Sequence, residues 1–279
     1  MLPLLLLLVF PAVFGLPQGS RRSELVFGGD IVTDHRFPSQ ILFIRKDAGH
    51  FCGGTLLTSR HVLTAAHCIM MMLDNTVTTA YAGALDVKKL NASMVQASTI
   101  KTKVMHPKWD LNTIKNDIGI VELETAIKFT EAAQPISISK DEEYGKAGNV
   151  VYVVGFGATN YREEVSTESQ YLRYADLTVS DQAQCRKMWE NVEDTDITEN
   201  QICTTSKGKS MLPGDSGGPI LFKDSTRAGT KWRQVGVASF FAQPDFLQMP
   251  NVYTRVAKYC DWISEATGGS YKCEGSIWG

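Results

Sequence analysis

Nine short runs rich in Val, Ile, Tyr and Phe recur along the chain and constrain its fold more than any other feature. They are Ile41 to Ile44, Thr55 to Leu57, Val77 to Tyr81, Ile118 to Leu123, Val150 to Phe156, Leu172 to Val179, Ile220 to Phe222, Gln234 to Phe240 and Val252 to Val256. Gly, Pro, Asn and Asp punctuate them, which is how antiparallel strands and their turns are written. Many short strands with few helices make an all-β chain of the barrel or sandwich kind. Two segments read as helices instead. Ser180 to Trp189 begins with Ser180 and Asp181 as N-cap candidates, and Val256 to Ala266 stops before Gly268 and Gly269. No repeat of fixed period is visible. The polar stretch from Thr130 to Asn149, with Pro135, Gly145 and Gly148, is the natural connector between two β-halves. At 279 residues, one extended β unit and two ordinary domains are both allowed.

Residues 1–15 are an apolar run of secretory length, with Val13 and Gly15 as small residues at cleavage spacing. A membrane anchor is the rival reading, but the run falls short of the ~20 residues a bilayer needs and has prolines near both ends. Secretion gives the six cysteines their meaning, because an oxidising compartment favours disulfides and an even count leaves no obligatory thiol. Spacing suggests Cys52 with Cys68, Cys185 with Cys203 and Cys260 with Cys273. A metal site is the weaker alternative, since no Cys-x-x-Cys occurs and only His67 sits beside a cysteine. Asn91-Ala92-Ser93 is a glycosylation sequon. The formal net charge of -2 leaves no basic excess for phosphates, so nucleic acid is not an expected partner. Nothing after the leader is apolar enough to span a membrane.

Three places hold the side chains that nucleophilic catalysis requires. Gly214-Asp215-Ser216-Gly217-Gly218-Pro219 sets a Ser in a Gly-rich turn before a strand, where backbone N-H groups can converge on a developing oxyanion. A Ser hydroxyl needs a base, and Thr64-Ala65-Ala66-His67-Cys68 offers one. A buried carboxylate must hold the imidazole in the right tautomer, and Asn116-Asp117-Ile118-Gly119-Ile120 places an Asp at the mouth of an apolar strand. Singly, each is more often a turn or a structural residue than a catalytic one. In the order His, Asp, Ser, the three together carry far more weight.

On these motifs the chain resembles the trypsin/chymotrypsin-type serine endopeptidases, from Val26-Phe27-Gly28-Gly29 to Trp262. The resemblance implies two packed six-stranded antiparallel barrels with a C-terminal helix, the first over about 26–135 and the second over about 136–279. It implies His67 as general base and then acid, Asp117 as its orienter and Ser216 as nucleophile, with oxyanion-hole N-H groups from Gly214 and Ser216. It also implies a zymogen with a propeptide over 16–25, in which cleavage frees the Val26 ammonium to pair with Asp215. Polypeptide substrates, an activating protease and protein inhibitors are the implied partners of a secreted monomer. No cofactor and no metal are called for, and the Asp74 to Asp86 region lacks the dense carboxylates of a calcium loop.

Several residues depart from the family pattern. Leu25 stands where a basic residue is usual, and a cut after Arg21-Arg22 would leave Ser23-Glu24-Leu25 as an overhang. Activation is therefore expected after Leu25, or by trimming after a basic cut. The pocket base is Ser210 rather than Asp, so a P1 Arg or Lys would find no counter-charge. Met211 is its larger neighbour. Ser239, Phe240 and Phe241 should run along the substrate backbone, and Phe241 and Asn251 replace glycines at the pocket walls. A narrowed pocket for small or medium apolar P1 groups follows. Two usual bridges are missing, at Leu212 and at Val151 with Phe222, while Cys260 to Cys273 is extra. Met70-Met71-Met72 either lines the cleft or fills the core, and His35, His50, His61 and His106 read as surface or loop residues. The rival class is a protease-like binding protein with a closed pocket. Esterase chemistry on another fold is a third reading, disfavoured because Ser216 leads into a strand rather than a helix. The short segment before Val26 leaves no room for a regulatory module, which favours a stand-alone digestive or secretory enzyme.

Overall fold

Twelve strands form two closed barrels in the computed structural model, which describes residues 28–162, 165–205, 208–226, 229–243 and 245–275. The expected leader and propeptide, with Leu25 and Val26, lie outside the described residues. The first barrel comprises β1 (Gln40–Arg45), β2 (Gly49–Leu56), β3 (His61–Thr64), β4 (Thr78–Ala82), β5 (Gln96–Met105) and β6 (Gly119–Leu123). It closes in the order β1-β2-β3-β6-β5-β4. The second comprises β7 (Val150–Gly155), β8 (Arg173–Val179), β9 (Gln201–Thr205), β10 (Pro219–Thr226), β11 (Gly229–Phe240) and β12 (Asn251–Arg255). It closes as β7-β8-β9-β12-β11-β10, so the two barrels share one topology. A two-residue strand, Asp30–Ile31, adds to β8, and Ser137–Ile138 lies parallel to β11.

The sequence writes these strands by alternation. Along β8, Arg173, Ala175, Leu177 and Val179 are buried, while the residues between them are half-buried or exposed, the period of two that one-sided burial requires. Val151, Val153, Leu177, Ile202 and Ile220 fill the second barrel, and Ile41, Phe43, Leu63, Ile120 and Leu123 the first. Each fully buried side chain of this size contributes roughly 2 kcal/mol over exposure.

Three short α-helices lie among the described residues, beside a two-stranded hairpin of Ala158–Arg162 and Val165–Glu168. α1 (Ala66–Met70) follows β3, α2 (Gln182–Trp189) is capped by Asp181, whose carboxylate accepts from Gln184 N at 2.9 Å, and α3 (Cys260–Ala266) continues a 3-10 turn over Val256–Tyr259. Thr267 closes α3, and Gly268 and Gly269 follow with positive φ. The disulfides are Cys52–Cys68, Cys185–Cys203 and Cys260–Cys273, the pairs that spacing suggested. The third ties the tail to α3 and sets Glu274 beside Ile138, whose carbonyl accepts from Glu274 N at 2.8 Å. Among the described residues, no helix is long and apolar enough to cross a membrane. Asn91 of the sequon is exposed.

Candidate active site

His67 sits in α1, one residue before the disulfide that fastens this helix to β2. Asp117 precedes β6 and is almost fully buried. Fifty residues apart in sequence, they meet at 2.7 Å between His67 Nδ1 and Asp117 Oδ2. The His67 backbone N-H also donates to Asp117 Oδ1 at 3.0 Å. Burial opposes charging of the His67 ring, but the Asp117 charge and hydrogen bond prevail and raise its pKa.

A third donor comes from the second barrel. The β11 to β12 pairing slips between Ala238 and Phe240, so Ser239 occupies a bulge, and a bulge re-aims the side chain it carries. Ser239 Oγ donates to Asp117 Oδ2 at 2.6 Å, and Thr254 Oγ1 donates to the Asp117 carbonyl at 2.7 Å. The carboxylate thus receives three hydrogen bonds, which offset the cost of burying its charge. Ser239 had been expected only as a substrate-strand residue. No residue pattern marks its contact with Asp117, because the bulge creates it.

Ser216 lies in the loop entering β10, and its carbonyl accepts from Gly53 N of β2 at 2.7 Å, which sets it across the seam between the barrels. In this loop Asp215 N, Gly217 N and Gly218 N are hydrogen-bonded within the backbone, whereas the N-H groups of Gly214 and Ser216 are engaged in no hydrogen bond among the described residues. Both N-H groups belong to the loop that carries the Ser216 side chain. Gly214 has φ 97°, and a Cβ there would lie 2.9 Å from His50 Cε1, so only glycine fits. Ser216 Oγ makes no hydrogen bond to His67 among the described residues, and His67 Nε2 lies 3.6 Å from Cys68 Sγ. Such bonds are often long before substrate binds.

Asp215 is fully buried behind Ser216. Its oxygens accept from Gly157 N at 2.8 Å and Leu212 N at 3.0 Å. A Cβ on Gly157 would lie 2.4 Å from the carboxylate, so glycine is required for the approach. Burial, only partly countered by those two bonds, pushes the Asp215 carboxyl up from 3.8 to about 6. No charged partner compensates it among the described residues. His50 corrects an expectation: rather than lying on the surface or in a loop, it is buried in β2 against Gly214, because strand alternation turns it inward. Burial lowers its pKa to about 4, so its ring is neutral.

The residues expected to line the specificity pocket come together in part. Ser210, Met211 and Asn251 are all buried, and Ser210 Oγ lies 2.8 Å from both Asn251 Oδ1 and the Met211 carbonyl. The Tyr253 hydroxyl is buried beside Thr204 and Asn251. Phe241 packs against the cluster containing Met211 and Tyr253 and against Leu212 and Phe246, while Phe240 meets the Trp189 ring edge-on at 5.2 Å. The positions lacking bridges are filled by packing: Val151 and Phe222 are direct partners across β7 and β10. Met72 is buried, whereas Met70 and Met71 are exposed, and Trp109 Nε1 donates to Met70 Sδ at 3.2 Å. Donor atoms of Cys52, His67 and Cys68 cluster within 4.8 Å, but both sulfurs are locked in a disulfide and are not thiolate ligands. Compared with models of known protein families, residues 26–263 match the trypsin family.

Proposed function

The chain belongs to the trypsin family of serine proteases, and from that premise we propose that it is a secreted serine endopeptidase acting through His67, Asp117 and Ser216. The observation that carries this reading is the His67 and Asp117 pair at 2.7 Å, facing a loop that leaves the N-H groups of Gly214 and Ser216 unengaged. His67 Nε2 takes the Ser216 proton as Oγ attacks the peptide carbonyl. Asp117 fixes the Nδ1-H tautomer and stabilises the imidazolium. The oxyanion settles on the two free N-H groups, each contributing about 3 kcal/mol to the transition state. His67 then protonates the leaving amine, and water, activated by the same ring, releases the acyl group from Ser216.

Activation is proposed to require a free N-terminus at Val26, made by a cut after Leu25 or by trimming from Arg22. The buried Asp215, which has no ion-pair partner among the described residues, supports this, since an ammonium beside it would relieve the cost of its charge. Ser210 at the pocket base, hydrogen-bonded to Asn251 at its wall, supports a preference for small or medium apolar P1 groups. Three disulfides suit an oxidising compartment, residues 1–15 act as the leader, and exposed Asn91 carries a glycan.

Digestion of a peptide library by protein trimmed to Val26, with products read by mass spectrometry, tests the proposal. Cleavage after Ala, Val or similar residues, absent in Ser216→Ala, is expected. Dominant cleavage after Arg or Lys contradicts the pocket reading. Active protein whose N-terminus is Ser23 contradicts the activation reading. Folded, trimmed protein that cleaves nothing favours the binding-protein alternative, for which the buried pocket floor is the specific support.

A further inference from the structure

The approach of the chain to Asp117 is held by contacts that the reaction itself does not use. Two non-glycine residues just before it are left-handed, Ile114 at φ 50° and Asn116 at φ 55°. A β-branched residue in this region is a true outlier, and such a backbone persists only where its surroundings over-determine it. Asn tolerates the conformation, and here its side chain is also gripped at both ends. Asn116 Nδ2 donates to the Lys108 carbonyl at 2.7 Å, and Tyr259 Oη donates to Asn116 Oδ1 at 3.0 Å. The Asn116 carbonyl accepts from Ile118 N at 2.8 Å, closing a three-residue turn centred on Asp117.

The grip is itself braced. His106 Nδ1 accepts from Lys108 N at 3.2 Å, and its ring stands edge-on to Tyr259 at 5.3 Å, so one imidazole supports both ends. Tyr259 immediately precedes α3, in the second half of the chain, and is buried. The network therefore ties the C-terminal helix to the residue before the carboxylate. Asn116 is bonded to neither His67 nor Ser216.

We propose that Asn116 is a positioning residue, clasped between the Lys108 carbonyl and the Tyr259 hydroxyl so that the turn at Asp117 aims its carboxylate at His67. This rests on the roles proposed above for Asp117 and His67. Glycine adopts a φ of 55° without strain, so Asn116→Gly removes the clasp while sparing the backbone. Tyr259→Phe removes one grip and keeps the ring.

The test is steady-state hydrolysis by trimmed wild type, Asn116→Gly, Tyr259→Phe and the double variant, each confirmed folded by its melting transition. Displacing a catalytic group by about 1 Å costs about a hundredfold, so Asn116→Gly should lose up to about a hundredfold in kcat, with KM little changed. Tyr259→Phe should lose about fivefold, the worth of one hydrogen bond, and the double variant should be no worse than Asn116→Gly. The acid limb of the kcat profile should move to lower pH, because a loosened Asp117 no longer raises the His67 pKa. Wild-type kcat in Asn116→Gly, a loss confined to KM, or losses that multiply in the double variant with an unmoved acid limb would overturn the proposal. Should Asn116→Gly not fold, the kcat loss and shifted limb of Tyr259→Phe decide it. Wild type without Ser216-dependent turnover overturns the triad reading as well, and so separates the two failures.

Discussion

Asp215→Asn should have opposite effects on stability before and after activation. In the untrimmed chain the carboxyl is raised from 3.8 to about 6, so it holds its proton more tightly folded than unfolded. A raised acid of this kind costs stability as the pH climbs through that window, and the cost is complete above pH 6. The shift corresponds to about 3 kcal/mol in total, of which about 2 kcal/mol develops between pH 4.5 and 7.5. Asn mimics the protonated acid at every pH. Like that acid, it meets both the Gly157 and Leu212 N-H donors with only one accepting oxygen, a mismatch that adds a pH-independent offset. The growth of the difference with pH, rather than its absolute size, is therefore the quantity to measure. Urea unfolding in a Ser216→Ala background, which prevents autolysis, gives it directly. Stability of Asp215→Asn relative to Asp215 should rise by about 2 kcal/mol from pH 4.5 to 7.5 in the untrimmed protein. After trimming to Val26 the same substitution leaves a buried ammonium unpaired and should destabilise by about 3 to 5 kcal/mol. An effect of the same sign and pH dependence in both forms would refute the reasoning.

Asn251→Gly removes the side chain that meets Ser210 at the proposed pocket wall. It should raise kcat/KM for P1 Leu or Phe, relative to P1 Ala, by about ten- to a hundredfold, the worth of burying a side chain of that size. An unchanged ratio of peptide hydrolysis rates would show that Asn251 does not set the limit. Replacing Cys260 and Cys273 together by Ala should cost about 3 kcal/mol in urea unfolding, as expected for a loop this short. The active site should be spared, because the bridge ties the tail rather than the catalytic loops. Loss of turnover in the folded protein would contradict that assignment.

Strands were legible where apolar residues alternate or run together, as in Val150–Gly155 and Arg173–Val179. Gln96–Met105 escaped because most of its residues are polar or exposed and its place is set by pairing to β4 and β6. Gln201–Thr205 escaped because polar Gln201 and Thr204 stand at buried positions. The shared topology of the two barrels leaves no sequence repeat, since order in a closed sheet is fixed by non-local pairing. At the site, residue types pointed to His67, Asp117 and Ser216, but their approach over 50 and more residues was implied only by family resemblance. The grip of Ser239 on Asp117 depends on a bulge, and that of Tyr259 on Asn116 spans 143 residues. His50 looked like a loop residue, and only the register of β2 turns it inward.

The most direct measurement of the central claim is covalent labelling by a fluorophosphonate, located by peptide mass spectrometry. Protein trimmed to Val26 should carry the label on Ser216, while untrimmed protein and trimmed Asp117→Ala should label far more slowly. Trimmed, folded protein that takes up no label, or takes it on another residue, would contradict the account.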